Sequence, residues 1–122
     1  MEATQVSAIK IYHNPRCSKS RQTKAILDDQ GLDYDVIEYL QQPPTAAELK
    51  MILGMLGKKP VEIIRSGEKL FKELGLSKKD ERPDDEWVQI MVDNPLLIER
   101  PIVVKGGKAA MGRPPEDVLN IL

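Results

Sequence analysis

One short stretch of the chain combines a thiol with several positive charges. Cys17 is the only cysteine among the 122 residues, and Pro15 prevents a helix from starting before this position. The spacing therefore predicts that Cys17 lies at a helix N-terminus, where backbone N–H groups and the helix dipole favour thiolate over thiol. We expect a nucleophilic cysteine here, although a sole cysteine is also commonly a small buried hydrophobe.

Basic residues flank this cysteine although cations are disfavoured at the N-terminal end of a helix. They are Arg16, Lys19, Arg21 and Lys24. The pattern indicates that an anion binds beside the thiol, and a solvated basic face is the alternative. Arg65 stands at a break between two short helical segments and could also present a guanidinium to a site, or simply be solvated.

The composition excludes several other classes of function. With 18 basic and 19 acidic residues the net charge is -1, which does not suggest a nucleic-acid binder. One cysteine and one histidine leave no metal site and no internal disulfide, and we expect no bound cofactor. The N-terminal residues do not resemble a secretory signal and no apolar run reaches membrane-spanning length, so we expect a cytoplasmic protein with no membrane contact.

The elements around Cys17 follow from hydrophobic patterning and turn residues. We predict a strand over residues 8–12, a helix over 18–30 with Gly31 as its C-terminal cap, and a strand over 34–40. The buried side of the helix is expected at residues 25–27. A strand, a helix and a strand of these lengths imply a parallel pair with a right-handed crossover.

The remainder of the chain contains helices, then β-rich runs. A helical insert is predicted over about residues 45–93, beginning at the capping sequence from Thr45 to Glu48. Extended segments follow at 96–98 and 102–104, and the second should pair with 109–111 in a hairpin through the Gly106-Gly107 turn. A final helix is expected after Pro114.

This order predicts a single domain over residues 1–122 with an α/β, thioredoxin-like fold. The fold has a mixed four-stranded sheet flanked by helices, with the helical insert between the second and third strands. In this fold the nucleophile lies at the start of the first helix, and a proline at the start of the third strand faces it. Pro101 is at that place, and we expect a cis bond between Arg100 and Pro101.

Four segments of the chain resemble the glutaredoxin-dependent arsenate reductases. They are residues 13–21, Arg65, residues 100–104 and residues 112–114. The resemblance extends over about residues 9–122 and implies that Cys17 attacks the arsenic of arsenate. It also implies that Arg65, Arg100 and Arg113 surround the oxyanion, because planar guanidinium groups suit tetrahedral oxygens.

The resemblance also implies the reductants and the roles of three neighbouring residues. Glutathione would add to the arsenic as a co-substrate, and glutaredoxin would reduce the adduct so that arsenite leaves. His13 would favour the thiolate, and Asn14, counted with the substrate-binding residues, would hold the loop. Ser20, where dithiol enzymes have a second cysteine, would either donate a hydrogen bond to Cys17 or cap the helix.

Two other functions are compatible with these residues. One is a glutathione-dependent thiol oxidoreductase that acts on another substrate, which would keep Cys17 but tolerate loss of Arg65 or Arg113. The other is a regulator similar to the Spx proteins, which bind RNA polymerase. Those proteins typically have two cysteines at the loop, so Ser20 counts against this alternative.

Overall fold

The computed structural model describes residues 8–122, which form two compact units. The first unit contains the chain up to Tyr39 and again from Arg100 to Leu122, and it holds every strand of the sheet. The second unit is Leu40–Glu99 and corresponds to the predicted helical insert.

The sheet has four strands and is mixed, as the sequence predicts. Its strands are β1 Ile9–Tyr12, β2 Asp35–Ile37, β3 Ile102–Lys105 and β4 Lys108–Met111. Their spatial order is β2-β1-β3-β4, with β1 and β2 parallel and the other two pairs antiparallel. The strand expected over residues 34–40 is shorter than predicted, and Tyr39 lies beyond its end.

Helix α1, Ser18–Asp29, joins β1 to β2 and packs on the sheet. Its buried positions are Ser20, Thr23 and Leu27. Of the predicted residues 25–27, Leu27 is buried and Ile26 is partly buried against the core, but Ala25 is exposed. Ala25 lies off the inward face, which repeats every three to four residues and begins with two small polar side chains. The expected C-terminal cap is confirmed, since Gly31 has φ 68° and its N–H donates to Asp28 O at 3.0 Å.

The core of the first unit lies on the face of the sheet that α1 covers. Two alternate residues of β1 pack together with one residue from α1, one from β3 and one from the C-terminal segment. This alternation is expected for a strand with one face in the core. These residues are Ile9, Ile11, Leu27, Val103 and Val118. The final helix expected after Pro114 is a 3₁₀ helix, Pro115–Ile121.

The predicted hairpin between β3 and β4 is confirmed. Val103 pairs with Ala110 and Val104 pairs with Ala109 across the turn. Gly106 has φ 60°, a backbone conformation that favours glycine, so the Gly-Gly pair suits this turn. The hairpin directs the residues after Met111 back towards the beginning of β3.

The second unit consists of helices packed on one another. They are α2 Ala46–Leu56, α3 Pro60–Ile63, α4 Lys69–Glu73 and α5 Asp84–Asp93. Helix α2 begins as predicted, because Thr45 Oγ1 accepts the Glu48 N–H at 3.1 Å. Trp87 of α5 is buried, in agreement with its prediction as a core residue.

The strand predicted at residues 96–98 is wrong. Pro95–Leu97 is a short 3₁₀ helix, in which the Ile98 N–H donates to Pro95 O at 3.0 Å. Proline at its first position favours this turn, and only Ile98 pairs in extended form, in an isolated bridge with Ile64. Within residues 8–122, no helix combines the length and the apolar character needed to cross a membrane.

Candidate active site

The loop between β1 and α1 is closed by its own hydrogen bonds. Asn14 accepts the Cys17 N–H at its backbone oxygen and the Arg16 N–H at its side-chain Oδ1, both at 3.0 Å. The Arg21 N–H then donates to Cys17 O at 3.0 Å, which starts the helix. Cys17 is therefore the N-cap residue of α1, as predicted, and Asn14 holds the loop in the way that the sequence suggested.

The surroundings of the Cys17 sulfur favour its anionic form. Burial raises the pKa of this half-buried thiol, but hydrogen bonds from the Ser20 N–H, the Arg100 guanidinium, the Lys19 N–H and the Ser20 hydroxyl outweigh burial and lower its pKa below the usual value for cysteine. Three of these four donors belong to the first turn of α1, where the helix dipole also favours the anion. The structure thus places a thiol with a lowered pKa at the helix N-terminus.

Ser20 connects the loop to the sulfur. Its side chain is buried, its Oγ accepts the Asn14 N–H at 3.4 Å, and its hydroxyl donates to Cys17. A hydroxyl can accept and donate at once, so both bonds can exist together. Of the two predicted roles for Ser20, the structure contains the hydrogen bond to the Cys17 sulfur. It does not contain helix capping by Ser20, because Cys17 occupies the N-cap position.

Arg100 places a positive charge directly at the thiolate. It precedes Pro101 through a cis peptide bond, as predicted. Its half-buried guanidinium hydrogen bonds to Cys17 and to Tyr39; burial lowers the pKa of Arg100, but these two neighbours raise it above its usual value. Arg100 is therefore a permanent cation in contact with the nucleophile.

Arg113 is tied to the backbone of Arg100. Its Nε donates to Arg100 O at 2.8 Å, and the neighbouring Gly112 N–H donates to Pro101 O at 3.0 Å. A second cis bond joins Arg113 to Pro114. Two residues of the predicted arginine cluster are thus connected, although they are separated by the β3–β4 hairpin in the sequence.

A close approach of three chain segments fixes this connection. A Cβ atom placed on the buried Gly112 would lie 2.3 Å from Thr23 Oγ1 of α1 and 2.7 Å from Pro101 Cγ. Thr23 is buried and β-branched, and Pro101 Cγ belongs to a ring, so only glycine fits without displacement. The sequence identifies Gly112 as part of a motif but does not reveal this packing role.

His13 is buried, and its pKa lies below the usual value for histidine. Burial is the largest cause and Lys24 lowers the pKa further, whereas Glu38 raises it and Arg21 has a smaller lowering effect. Its Nδ1 has no hydrogen-bond partner among the described residues. The lowered pKa disfavours the charged imidazole, and the part of His13 in favouring the thiolate stays a prediction.

Arg65 belongs to the second unit. Its N–H donates to Leu97 O at 2.7 Å, and its Nη1 pairs with Glu99 Oε1, also at 2.7 Å. Both side chains are partly buried, which keeps this pair from being fully screened by solvent. The role of Arg65 in oxyanion binding stays a prediction.

The flanking basic residues have local partners in two cases. Arg21 Nη1 donates to Pro15 O at 3.0 Å, and Lys24 Nζ lies 3.7 Å from Asp28 Oδ2 and 5.6 Å from the centre of the Tyr34 ring. No group of three or more potential metal-ligating side chains occurs in the described part of the chain.

Sequence reasoning missed Tyr39 as a residue of this site. It was expected only as part of a strand, whereas its buried side chain reaches Arg100. The usable signal is a tyrosine at the end of a parallel strand adjacent to the nucleophile loop, because a buried tyrosine hydroxyl needs a polar partner.

These residues can perform nucleophilic attack by sulfur on an oxyanion. The pKa of the Cys17 thiol is lowered, and a guanidinium fork lies beside the sulfur, where it can hold anionic oxygens. The combination is that of a thiol enzyme with an electrostatically prepared anion site.

Comparison with known proteins agrees with this geometry. A protein of Escherichia coli strain K12, named only as uncharacterized protein YfgD, is 50% identical over 115 residues, which are 93% of this chain and 96% of that protein. An arsenate reductase of Neisseria meningitidis strain Z2491 is 44% identical over 93% of this chain and 97% of its own length. The solved structure of an arsenate reductase from Vibrio cholerae superimposes with a TM-score of 0.89 at 46% identity, over 97% of this chain and all of that one.

The sequence model of the ArsC family matches residues 12–121, from the last residue of β1 through the C-terminal segment. The match includes the Cys17 loop and both arginine–proline segments. On this basis the chain belongs to the ArsC family.

Proposed function

We propose that this protein is an arsenate reductase in which Cys17 is the nucleophile. The observation that carries the proposal is the hydrogen bond between the Cys17 sulfur and the Arg100 guanidinium, which combines a stabilised thiolate with a cation in one contact. The names of the relatives from Neisseria meningitidis and Vibrio cholerae support arsenate as the substrate.

Arsenate suits this arrangement because it is a tetrahedral anion. A thiolate and an oxyanion repel each other, so the site must supply positive charge before sulfur can approach arsenic. Arg100 and Arg113 supply this charge, and the family resemblance adds Arg65 as a third arginine. Guanidinium groups present paired donors that match two oxygens of a tetrahedral anion.

The proposed reaction begins with attack of the Cys17 thiolate on arsenic. A sulfur–arsenic bond forms, and one arsenate oxygen leaves as water after protonation, while arsenic remains pentavalent. The thiol of glutathione displaces a second oxygen as water. A glutaredoxin thiol then attacks the glutathione sulfur, the electron pair of the broken sulfur–arsenic bond reduces arsenic to the trivalent state, and hydrolysis releases arsenite from Cys17.

The need for external thiols follows from the composition of the chain. Ser20 occupies the position at which dithiol enzymes of this fold carry a resolving cysteine, and the sequence contains no cysteine besides Cys17. We propose glutathione and glutaredoxin as the donors. Since both act in a reduced state, we also propose that the protein works in the cytoplasm.

A coupled assay tests the proposal. Arsenate, glutathione, glutaredoxin, glutathione reductase and NADPH are combined with the protein, and NADPH oxidation is followed. We expect arsenate-dependent oxidation that Cys17→Ser abolishes, with phosphate in place of arsenate as the control substrate. The proposal is wrong if NADPH oxidation with arsenate does not exceed that of the Cys17→Ser variant.

A further inference from the structure

Tyr39 is a buried tyrosine whose hydroxyl meets the side chain of Arg100. Its side chain is 1% exposed and lies just after β2, the strand parallel to β1. A buried tyrosine hydroxyl without a polar partner would be costly, and here the Arg100 guanidinium supplies one. The hydroxyl therefore has a defined partner in the machinery that surrounds Cys17.

Two groups of different kinds contact the Arg100 guanidinium. It hydrogen bonds to the Cys17 sulfur and to the Tyr39 oxygen. Cys17 is the reacting group, whereas the Tyr39 side chain is buried in the interior. Because an arginine side chain has several rotatable bonds, a single contact with sulfur would not fix the plane of its guanidinium, but a second contact restricts it.

The backbone around Arg100 is already fixed. Arg113 Nε binds the Arg100 carbonyl, and Gly112 holds Pro101 from the other strand. These contacts locate the Arg100 backbone and not its guanidinium. Tyr39 is the fixed neighbour identified at the guanidinium end.

We infer that Tyr39 is a positioning residue, whose buried hydroxyl orients the Arg100 guanidinium towards the Cys17 sulfur and the oxyanion that reacts there. The inference rests on the proposed function for the identity of the oxyanion, but its effect on the thiol exists without any substrate. A residue that only fills the core would need the ring of Tyr39 and not its hydroxyl.

Tyr39→Phe separates these two roles because it removes the hydroxyl and keeps the ring. The matched control is Tyr34→Phe. This variant also removes a tyrosine hydroxyl from the first unit, but that hydroxyl donates to Asp28 Oδ1 and not to a residue of the site. The first measurement is the pH dependence of the alkylation rate of Cys17 by iodoacetamide, with no arsenate present. We expect the midpoint of this profile to move to higher pH in Tyr39→Phe and to stay unchanged in Tyr34→Phe.

The second measurement is the coupled assay with arsenate. Loss of a hydrogen bond to a charged group corresponds to about a tenfold effect on binding, so Tyr39→Phe should raise KM for arsenate by about tenfold. Its kcat should change much less, because Cys17 and Arg100 are both still present. Tyr34→Phe should match the wild type in both constants.

A double variant shows whether Tyr39 acts through Arg100. In an Arg100→Ala background, Tyr39→Phe should cause no further shift of the alkylation profile, because the oriented group is gone. An additional shift in this background would overturn the inference, as would a Tyr39→Phe profile that coincides with that of the wild type.

The alkylation profile also separates this inference from the proposed function. If the protein fails to reduce arsenate but Tyr39→Phe shifts the Cys17 profile, the positioning role stands and the substrate assignment falls. If arsenate is reduced but Tyr39→Phe leaves the Cys17 alkylation profile unchanged, the positioning role is wrong and the proposed function stands.

Discussion

The anionic form of Cys17 depends on groups from two distant parts of the sequence. Ser20 and Lys19 act from the first turn of α1, and Arg100 acts from the segment before β3. Because the pKa of Cys17 is lowered in the folded protein, the thiolate fraction rises at lower pH than in an unfolded chain. Alkylation should therefore reach half of its maximal rate below about pH 8.5, the usual pKa of cysteine.

Replacement of Ser20 by alanine tests the local part of this stabilisation. Ser20→Ala removes the hydroxyl that donates to sulfur but keeps the backbone N–H, so we expect the alkylation midpoint to move modestly to higher pH. Ser18→Ala is the control, since Ser18 is exposed in the same turn. Equal profiles for the two variants would show that the Ser20 hydroxyl does not stabilise the thiolate.

Replacement of Arg100 tests the distant part. Arg100→Ala should raise the pKa of Cys17 and, in the coupled assay, lower kcat/KM for arsenate by about a hundredfold, as expected when a charged hydrogen bond to a reacting group is lost. Arg16→Ala removes an equal charge from an exposed neighbour of Cys17 and should have little effect. If the two variants were equally impaired, the general positive charge of the loop would matter and not the Arg100 contact.

At the scale of elements, Gly112 connects helix α1 to the arginine–proline segment before β3. The Thr23 side chain and the Pro101 ring occupy the space that a side chain on Gly112 would need. The position of Arg113, the next residue, is therefore set by packing of α1 against the end of the hairpin. The site depends on this junction although none of its atoms reacts.

Gly112→Ala should accordingly destabilise the fold. A methyl group 2.3 Å from Thr23 Oγ1 requires displacement, and overpacking of this kind lowers the free energy of unfolding by about 1–3 kcal/mol. Urea unfolding measures the change. Gly107→Ala in the same hairpin is the control, because nothing lies within 4 Å of its added Cβ; similar midpoints for both variants would exclude a packing role for Gly112.

The elements that sequence predicted well are those with local signals. The Thr45 N-cap, the Gly31 cap at the end of α1 and the Gly-Gly hairpin each depend on neighbours within a few residues. They can therefore be predicted from local sequence. One error has a local cause, because residues 96–98 have β-rich composition and yet Pro95 favours a 3₁₀ turn. The other depends on packing, since Ala25 is exposed because Ser20 and Thr23 face inward.

The same distinction applies to the site. Cys17 could be found from spacing, and Ser20, Arg100 and Arg113 from resemblance to a family. Tyr39 could not, because its contact with Arg100 joins residues that are far apart in the sequence and depends on the order of the strands.

At the scale of the whole molecule, the three arginines of the predicted cluster are divided between the two compact units. Arg100 and Arg113 belong to the unit with the sheet, whereas Arg65 belongs to Leu40–Glu99, where it pairs with Glu99. The single domain over residues 1–122 stays a prediction. The contribution of Arg65 to arsenate binding also stays a prediction, and it can be measured directly.

Arg65→Ala should raise KM for arsenate by about tenfold, the effect of one lost charged hydrogen bond. Arg82→Ala is the matched control from the same unit, because Arg82 is similarly exposed and pairs with Asp80 and Glu86. It should leave KM within about twofold, since such ion pairs contribute little on their own. If both variants kept the KM of the wild type, the prediction that Arg65 binds the oxyanion would be wrong.

The hydroxyl that stands in place of a second sulfur at Ser20 affects how long a disulfide-linked group on Cys17 survives. No other thiol of the same chain can displace such a group, so it stays until an external thiol arrives. The lifetime of this mixed disulfide then depends on the surrounding thiol concentration, and a sample exposed to disulfides and depleted of small thiols would accumulate modified protein at one equivalent per chain.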